Sequence, residues 1–375
     1  MLVSPPSTLE LFEPLGLDSA LETLPNTDAV FVVWAGDRSA YLARTSMLRR
    51  RLQRILKPLA AEGEAPRRGM NLRGVASRVD YWLTGSRFES MLVHYTLARR
   101  YFPEDYPRMV KLRMPSWVKL VLSNEFPRTQ LTTRLGGGRG LYYGPFPSRG
   151  AAEQFETQML ELFQLRRCQE NLEPHPGHPG CIYGEMNMCL RPCQQAVTVE
   201  EYGTEAARVA DFLTGNGSAL AATTLAARER LSDEMNFEEA ARQHKKLERI
   251  QAVLASRGEL ACDLEKLYGI AVTPSLDIGA VRLWFACRGS WQTPVEFALT
   301  SHTSLDLRLR ETVGALAPVD APLPERQEHV ALLARWRFSS WSDGEWVGFP
   351  RLGDVPYRKL VRAISRVRAS CAPST

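Results

Sequence analysis

The chain of 375 residues lacks any apolar run long enough to cross a bilayer. The longest, Ala29 to Ala35, spans 7 residues, against the ~20 that a membrane helix needs. A secretory start is missing too: Met1 to Leu11 carries no basic n-region and holds Pro5 and Pro6. Neither sign of charge dominates. Lys and Arg number 47 and Asp and Glu 42, a net of +5 that pulls only weakly on a polyanion. Cysteine is scarce, at seven, and a disulfide framework belongs to small secreted domains. Residues 260–375 show no catalytic constellation. These absences, with ordinary hydrophobic (44%) and charged (24%) shares, predict a cytoplasmic globular protein. At ~150 residues per domain it holds two or three of them.

The scarce cysteines are not scattered. Cys168, Cys181, Cys189 and Cys193 follow one another with gaps of twelve, seven and three residues, while Cys262, Cys287 and Cys371 stand apart. In Cys189-Leu190-Arg191-Pro192-Cys193 two thiols return within a turn of each other. Thiolates gathered in a reducing compartment suit a soft metal or an iron–sulfur centre better than a core. Zinc sites pair their cysteines two to four residues apart, and only the last gap does so. The spacing therefore favours a 4Fe–4S cluster, with Zn²⁺ as the alternative. His175 and His178 lie in the long gap, where Pro174, Pro176, Gly177, Pro179 and Gly180 shape a loop.

Charge is also gathered. From Tyr41 to Asp80 ten basic residues (Arg44, Arg49, Arg50, Arg51, Arg54, Lys57, Arg67, Arg68, Arg73, Arg78) stand against three acids. Such density suits phosphate contact or, equally, a solvated helix face. The segment opens with an expected hairpin, Ala29 to Trp34 against Ala40 to Ala43 across Gly36-Asp37. A helix follows, with Ser46 as its candidate N-cap and Leu48, Leu52, Ile55 and Leu56 as its buried stripe. Residues 58–72 read as loop. Phe88 to Tyr101 is a second predicted helix, Trp117 to Leu122 a strand, and Tyr142 to Ser148 a stiff linker.

Residues 199–256 are predicted helical, broken near Gly215 and Gly217. Asn236 is placed to cap the last helix, with Glu239 three residues on as in a capping box. Phe237, Ala240, Ala241, Leu247, Ile250 and Leu254 form its apolar stripe. Beyond it, Ile278 to Phe285 and Val295 to Leu299 lean to strand, and Tyr357 to Val367 is a basic helix. The aromatic stretch Trp336 to Phe349 reads as core rather than as a base-stacking platform.

In this order the pieces resemble the N-terminal half of the UvrC family of excision-repair nucleases and shorter relatives such as Cho. Leu24-Pro25, Ala29-Val30-Phe31 and Tyr41-Leu42-Ala43 sit where that family has its GIY and YIG elements. Tyr143-Gly144-Pro145-Phe146-Pro147-Ser148, followed by the four cysteines, is similar to its linker and cysteine-rich region. Met235-Asn236-Phe237-Glu238-Glu239-Ala240-Ala241-Arg242 looks like the UVR motif, a helical hairpin that pairs with UvrB. The likeness runs from about Leu24 to Leu254.

The resemblance implies roles. Tyr41 falls at the YIG tyrosine that helps activate the attacking water, and Arg44 at the basic residue after it. Arg51 falls at the arginine that stabilises charge on the phosphate. Arg44, Arg49, Arg50, Arg51, Arg54 and Lys57 would hold DNA. Phe237, Glu238, Ala241 and Arg242 would hold a UvrB-like partner. The chain also departs from the pattern. Phe31 replaces the GIY tyrosine and Ala43 the YIG glycine. The family asparagine falls near Tyr106 or Pro107, neither of which replaces it. His94 occupies the position of the metal-binding glutamate. Magnesium needs oxygen ligands, so a lone imidazole there makes Mg²⁺ or Mn²⁺ doubtful and predicts weak or lost incision. Glu89, five residues earlier, projects elsewhere on the helix. The family's second nuclease and helix–hairpin–helix repeats are not visible after Gly258.

The predicted architecture is α+β. After a lead-in (1–20) come a small GIY-YIG-like domain of strands and helices (21–112) and a strand and linker (113–150). The cysteine-rich region (151–198), the UVR α-helical hairpin (199–256) and a C-terminal α+β region of unassigned role (257–375) follow. The function implied is a DNA-repair protein that binds DNA and UvrB with a degenerate nuclease site. The alternatives are an active single-incision Cho-like endonuclease and a metal-binding structural protein unrelated to DNA.

Overall fold

A computed structural model describes residues 3–11, 17–56, 70–136, 138–299 and 304–371. Lys57, Arg67 and Arg68 of the basic segment lie outside the described residues. The fold is α+β, as expected. No helix among the described residues is long and apolar enough to cross a membrane.

The N-terminal sheet holds β1 (Ser7–Glu10), β2 (Ala29–Ala35), β3 (Arg38–Thr45) and β4 (Arg78–Leu83), all antiparallel, in the order β1-β4-β2-β3. Around it lie α1 (Leu17–Thr23), α2 (Leu48–Ile55), α3 (Arg87–Tyr101) and the short α4 (Tyr106–Met109). The predicted hairpin is β2–β3, turning at Gly36 with φ +61°. Its apolar, β-branched first strand fits a sheet covered on both faces. On one face Phe31 and Val33 pack with Leu48, Leu52 and Ile55 of α2. On the other Val30, Val32 and Leu42 pack with α3. Ser46 does not cap α2. Met47 occupies the N-cap position without a side-chain bond, since its thioether offers no oxygen to the first helical N–H groups, and the Met47 N–H itself donates to Thr45 Oγ1 at 3.1 Å.

The middle of the chain forms one core. Its sheet runs β6-β5-β7-β8, from β5 (Ser116–Val121), β6 (Arg128–Thr132), β7 (Gly140–Phe146) and β8 (Cys262–Asp263). The expected linker Tyr142 to Ser148 is mostly β7. It pairs with β5 on one side and β8 on the other, so buried aromatics rather than prolines decide its state. Helices α5 (Arg149–Leu160), α6 (Ile182–Glu185), α7 (Val199–Thr214), α8 (Ser218–Asp233) and α9 (Phe237–Ser256) follow.

The C-terminal sheet holds β9 (Tyr268–Pro274), β10 (Ala280–Cys287), β11 (Ser290–Trp291), β12 (Val295–Ala298) and β13 (Glu345–Phe349). With it come α10 (Leu305–Gly314), α11 (Leu323–Arg337) and α12 (Tyr357–Cys371). In one respect it is wired like the N-terminal sheet: the last strand of each, β4 or β13, returns antiparallel beside the first strand of a hairpin, β2 or β9.

Helix α3 joins the two ends of the chain. Ten of its 15 residues are buried, which a helix shows when it is covered on every side. Phe88 on α3 packs against Trp284, Trp291 and Trp336 with ring centroids 5.6, 5.2 and 4.5 Å away. Of the aromatic stretch expected to be core, Trp336, Trp346 and Phe349 are buried, whereas Trp341 is only partly buried and Phe338 is exposed; the core that Trp336 serves is shared with the N-terminal sheet.

Candidate functional site

Strand alternation decides which candidate residues meet. Tyr41 and Ala43 of β3 lie with the α2 core, whereas Leu42 lies with the α3 core, so Arg44 faces the α3 side. On the α2 side Arg51 Nη2 donates to Tyr41 Oη at 2.7 Å. Arg49 is turned inward, its Nε donating to the Leu24 carbonyl at 2.6 Å, while Arg50 and Arg54 are exposed. Tyr41 and Arg51 therefore meet, and Arg44 and His94 share the opposite side of the sheet.

On that side the charge is positive. Arg44 lines a recess of about 300 Å³ with Asp28, Thr45, Ser46, Arg87, Ser90, Arg335 and Trp341. Packing around Arg44 and the neighbouring Arg335 guanidinium both lower its pKa. His94, on α3, is 7% exposed. Burial drives its pKa down to about 4, and Arg44 and Arg335 push the same way, so at neutral pH it is an uncharged imidazole. Glu89 points elsewhere. Its carboxylate is ion-paired to Arg282 of β10 and accepts the Gly85 N–H at 2.9 Å.

The cysteines sit in an irregular stretch between α5 and α7. Arg191 and Gln195 adopt left-handed backbone conformations on either side of a short 3₁₀ turn, Pro192–Gln194, and this turns Cys193 back toward Cys189. Cys189 and Cys193 are buried, Cys168 is half-buried and Cys181 exposed. Burial pushes the Cys189 thiol up to about 11, and Cys168, Cys181 and Cys193 add to the rise. The four sulfurs therefore occupy one neighbourhood. Cys168 Sγ accepts from Arg166 Nη1 at 3.5 Å and Cys189 Sγ from the Arg191 N–H at 3.4 Å. Among the described residues no three His, Cys, Asp or Glu side chains are arranged to hold a metal ion as they stand. The donor set suits a soft ion in its chemistry, while the arrangement as it stands is not a coordination site. His175 and His178 shape their loop: their Nδ1 atoms accept from the Gly177 and Gly180 N–H groups at 3.0 Å.

The hairpin α8–α9 turns at Met235, whose φ is +58°. Asn236 caps α9 by accepting the Glu239 N–H at 3.4 Å. The expected return bond of a capping box is not made, because Glu239 is engaged with Arg242 at 2.8 Å. The buried face of α9 is Ala240, Leu247, Ile250 and Val253. Phe237 and Met235, at 66% and 77% exposure, stand at the tip with Glu238, Ala241 and Arg242 beside them in solvent.

Arg87 and Arg335 are the residues that sequence reasoning does not single out. Arg335 follows the aromatic-free stretch of α11 and carries no local signal beyond being a cation in a helix's last turn.

Residues 116–212, which include all four clustered cysteines, match the family model of the UvrC/Cho excinuclease middle domain. The chain is similar to the UvrABC system protein C of Ruminiclostridium cellulolyticum, 25% identical over 251 residues, 66% of this chain and 40% of that protein. The protein of the same name from Moorella thermoacetica is 23% identical over 332 residues, 86% of this chain and 53% of that one. That of Methanothermobacter thermautotrophicus is 25% identical over 234 residues, 62% of this chain and 38% of that one. The chain spans about half the length, or less, of these curated relatives. No solved structure matches it. The resemblance to the UvrC/Cho family read from the motifs thus holds over most of the chain, at low identity.

Proposed function

We propose that this chain is a UvrC-like protein of nucleotide excision repair, working in the cytoplasm, that binds DNA and a UvrB-like partner and has weak or lost incision activity. The match of residues 116–212 to the excinuclease middle domain carries the reading. The basic face of α2 supports DNA contact, and the exposed apolar tip at Phe237 supports a docking partner. The four cysteines would hold a 4Fe–4S cluster, or Zn²⁺, bringing the loop between α5 and α7 to a single conformation; bound there, the group supplies structure rather than hydrolytic chemistry.

The charge around His94 supports weak incision. Phosphodiester hydrolysis by this class relies on a divalent ion held by oxygen. At the corresponding position the chain offers an uncharged imidazole beside Arg44 and Arg335, and Glu89 is committed to Arg282. A divalent cation there would meet positive charge first. The Tyr41–Arg51 hydrogen bond favours a second reading, an active single-incision enzyme, because it keeps together the two side chains to which the resemblance assigns catalytic roles.

A lesion-bearing duplex incubated with the chain and a UvrB-like protein, in magnesium and then in manganese, decides between them. The first reading expects an intact duplex. Incision that disappears in Tyr41→Phe and Arg51→Ala overturns it in favour of the second.

A further inference from the structure

The C-terminal region has no role in the reading above, yet one of its side chains lies between two basic recesses. Arg335 lines the first with Arg44 and Arg87. It also lines a second, of about 380 Å³, with Lys111, Arg113, Phe146 and Phe338. We propose that Arg335 is the centre of a phosphate-binding track, built jointly from β3, residues 111–115 and α11, that holds the sugar–phosphate backbone of a nucleic acid. This rests on the reading that the partner is nucleic acid. It places the contact on the opposite side of the N-terminal sheet from the basic face of α2.

Three observations carry it. First, the cations are short of counter-ions: the carboxylates near them are Asp28 and Asp343, both beside Arg87. None of Arg44, Arg87, Lys111, Arg113 and Arg335 forms an ion pair among the described residues. Of the residues lining the two recesses only Asp28 is acidic, near Arg87. Guanidiniums that crowd one another raise the free energy of the empty site and bind an oxyanion to relieve it. Second, the cations crowd one another along the track: after burial, Arg335 lowers the pKa of Arg44, and Arg113 lowers that of Arg335. Third, the two recesses are lined by rings as well as cations. Trp341 stands in the first and Phe338, 37% exposed, in the second. Alternating cations and aromatics suit a backbone with its bases splayed. Two recesses sharing one arginine fit successive phosphates of a polymer better than a single free ion.

The position of Arg335 is set by the fold. Its Nη1 donates to the Val110 carbonyl, which keeps the side chain extended across the gap between α11 and the end of α4. That bond uses one of five N–H donors and leaves the rest of the fork for a ligand.

The test uses the full chain and a fluorescein-labelled oligonucleotide, read by anisotropy across a salt series. Arg335→Gln and Lys111→Gln should each weaken binding about three- to tenfold. Each should also reduce the slope of log K against log salt by about one. Arg335→Lys should restore most of both losses. Lys111 is exposed, so its variant reads the track even where Arg335→Gln disturbs α11. Inorganic phosphate should displace the oligonucleotide no better than chloride at equal ionic strength. Displacement by phosphate well beyond chloride marks a single-ion site and overturns the track. Wild-type binding with affinity and slope unchanged in both variants overturns the track alone. Wild-type protein that binds no oligonucleotide overturns the track together with the nucleic-acid reading.

Discussion

The carboxylate of Glu89, on the helix that follows the N-terminal sheet, and the guanidinium of Arg282, on the C-terminal sheet, form an ion pair with side chains 4% and 24% exposed. Arg282 reaches Glu296 on the neighbouring strand as well. The pair sits at the edge of the aromatic cluster around Phe88, so polar and apolar contacts fasten the same two ends of the chain. The glutamate nearest to His94 in sequence is therefore spent on architecture.

This arrangement predicts a coupling. Glu89→Ala removes the acceptor of the Gly85 N–H and one partner of Arg282, and should destabilise the chain by about 2–4 kcal/mol. Arg282→Ala should cost less than the sum implies once Glu89 is already gone. A double-mutant cycle by urea unfolding should return an interaction of about 1–3 kcal/mol. Additive single-mutant losses would show that the pair does not hold the two ends together.

Much of the architecture is legible in local pattern. The hairpin β2–β3, α3, and the helices from Val199 to Ser256 follow from β-branched runs, caps and helical periodicity, with Ser86 accepting the Glu89 N–H at the start of α3. Strands β9 and β13 escape the same reading because glycines interrupt them. Gly269 is there for space: a Cβ would lie 2.3 Å from the Trp346 ring on the paired strand. Only the tertiary pairing explains that, and a single chain does not display it. The recess at Arg335 is hidden for a like reason. Its residues come from β3, α3 and α11, and no spacing within any one segment marks them as neighbours.

The cysteine neighbourhood makes a separate prediction. Protein purified without oxygen should be brown, absorb in the visible and carry iron in proportion to chain; Cys189→Ser or Cys193→Ser should lose most of that iron. Colourless protein with one zinc per chain would replace the cluster with the alternative ion. Protein with neither metal, and unchanged by the substitutions, would reduce the four thiols to packing.

The hairpin tip separates docking from folding. Phe237 is 66% exposed, so Phe237→Ala should leave the unfolding free energy within about 0.5 kcal/mol. Binding to a UvrB-like protein, measured by calorimetry, should weaken tenfold or more if the ring is an anchor. Equal affinity for wild type and variant would remove the tip from the interface.

The buried histidines set the behaviour toward acid. His94 titrates at about 4 and His329 at about 3, each depressed from 6.5, with burial the first cause in both. Below pH 6.5 the unfolded chain takes a proton at each site that the folded chain refuses, so stability falls as the pH falls. The loss approaches about 1.4 kcal/mol per pH unit for each histidine. It ends for His94 near pH 4, where the folded state also takes the proton, and runs further for His329. Carboxyls raised by burial, such as Glu89, act in the opposite sense, so the variant must be compared with wild type at each pH. Between pH 6 and pH 5, His94→Leu should lose stability more slowly than wild type, by about 1 kcal/mol over that unit. Parallel stability curves for the two proteins would mean that His94 titrates in the folded state as it does in the unfolded chain, and that burial beside Arg44 and Arg335 does not suppress its charge.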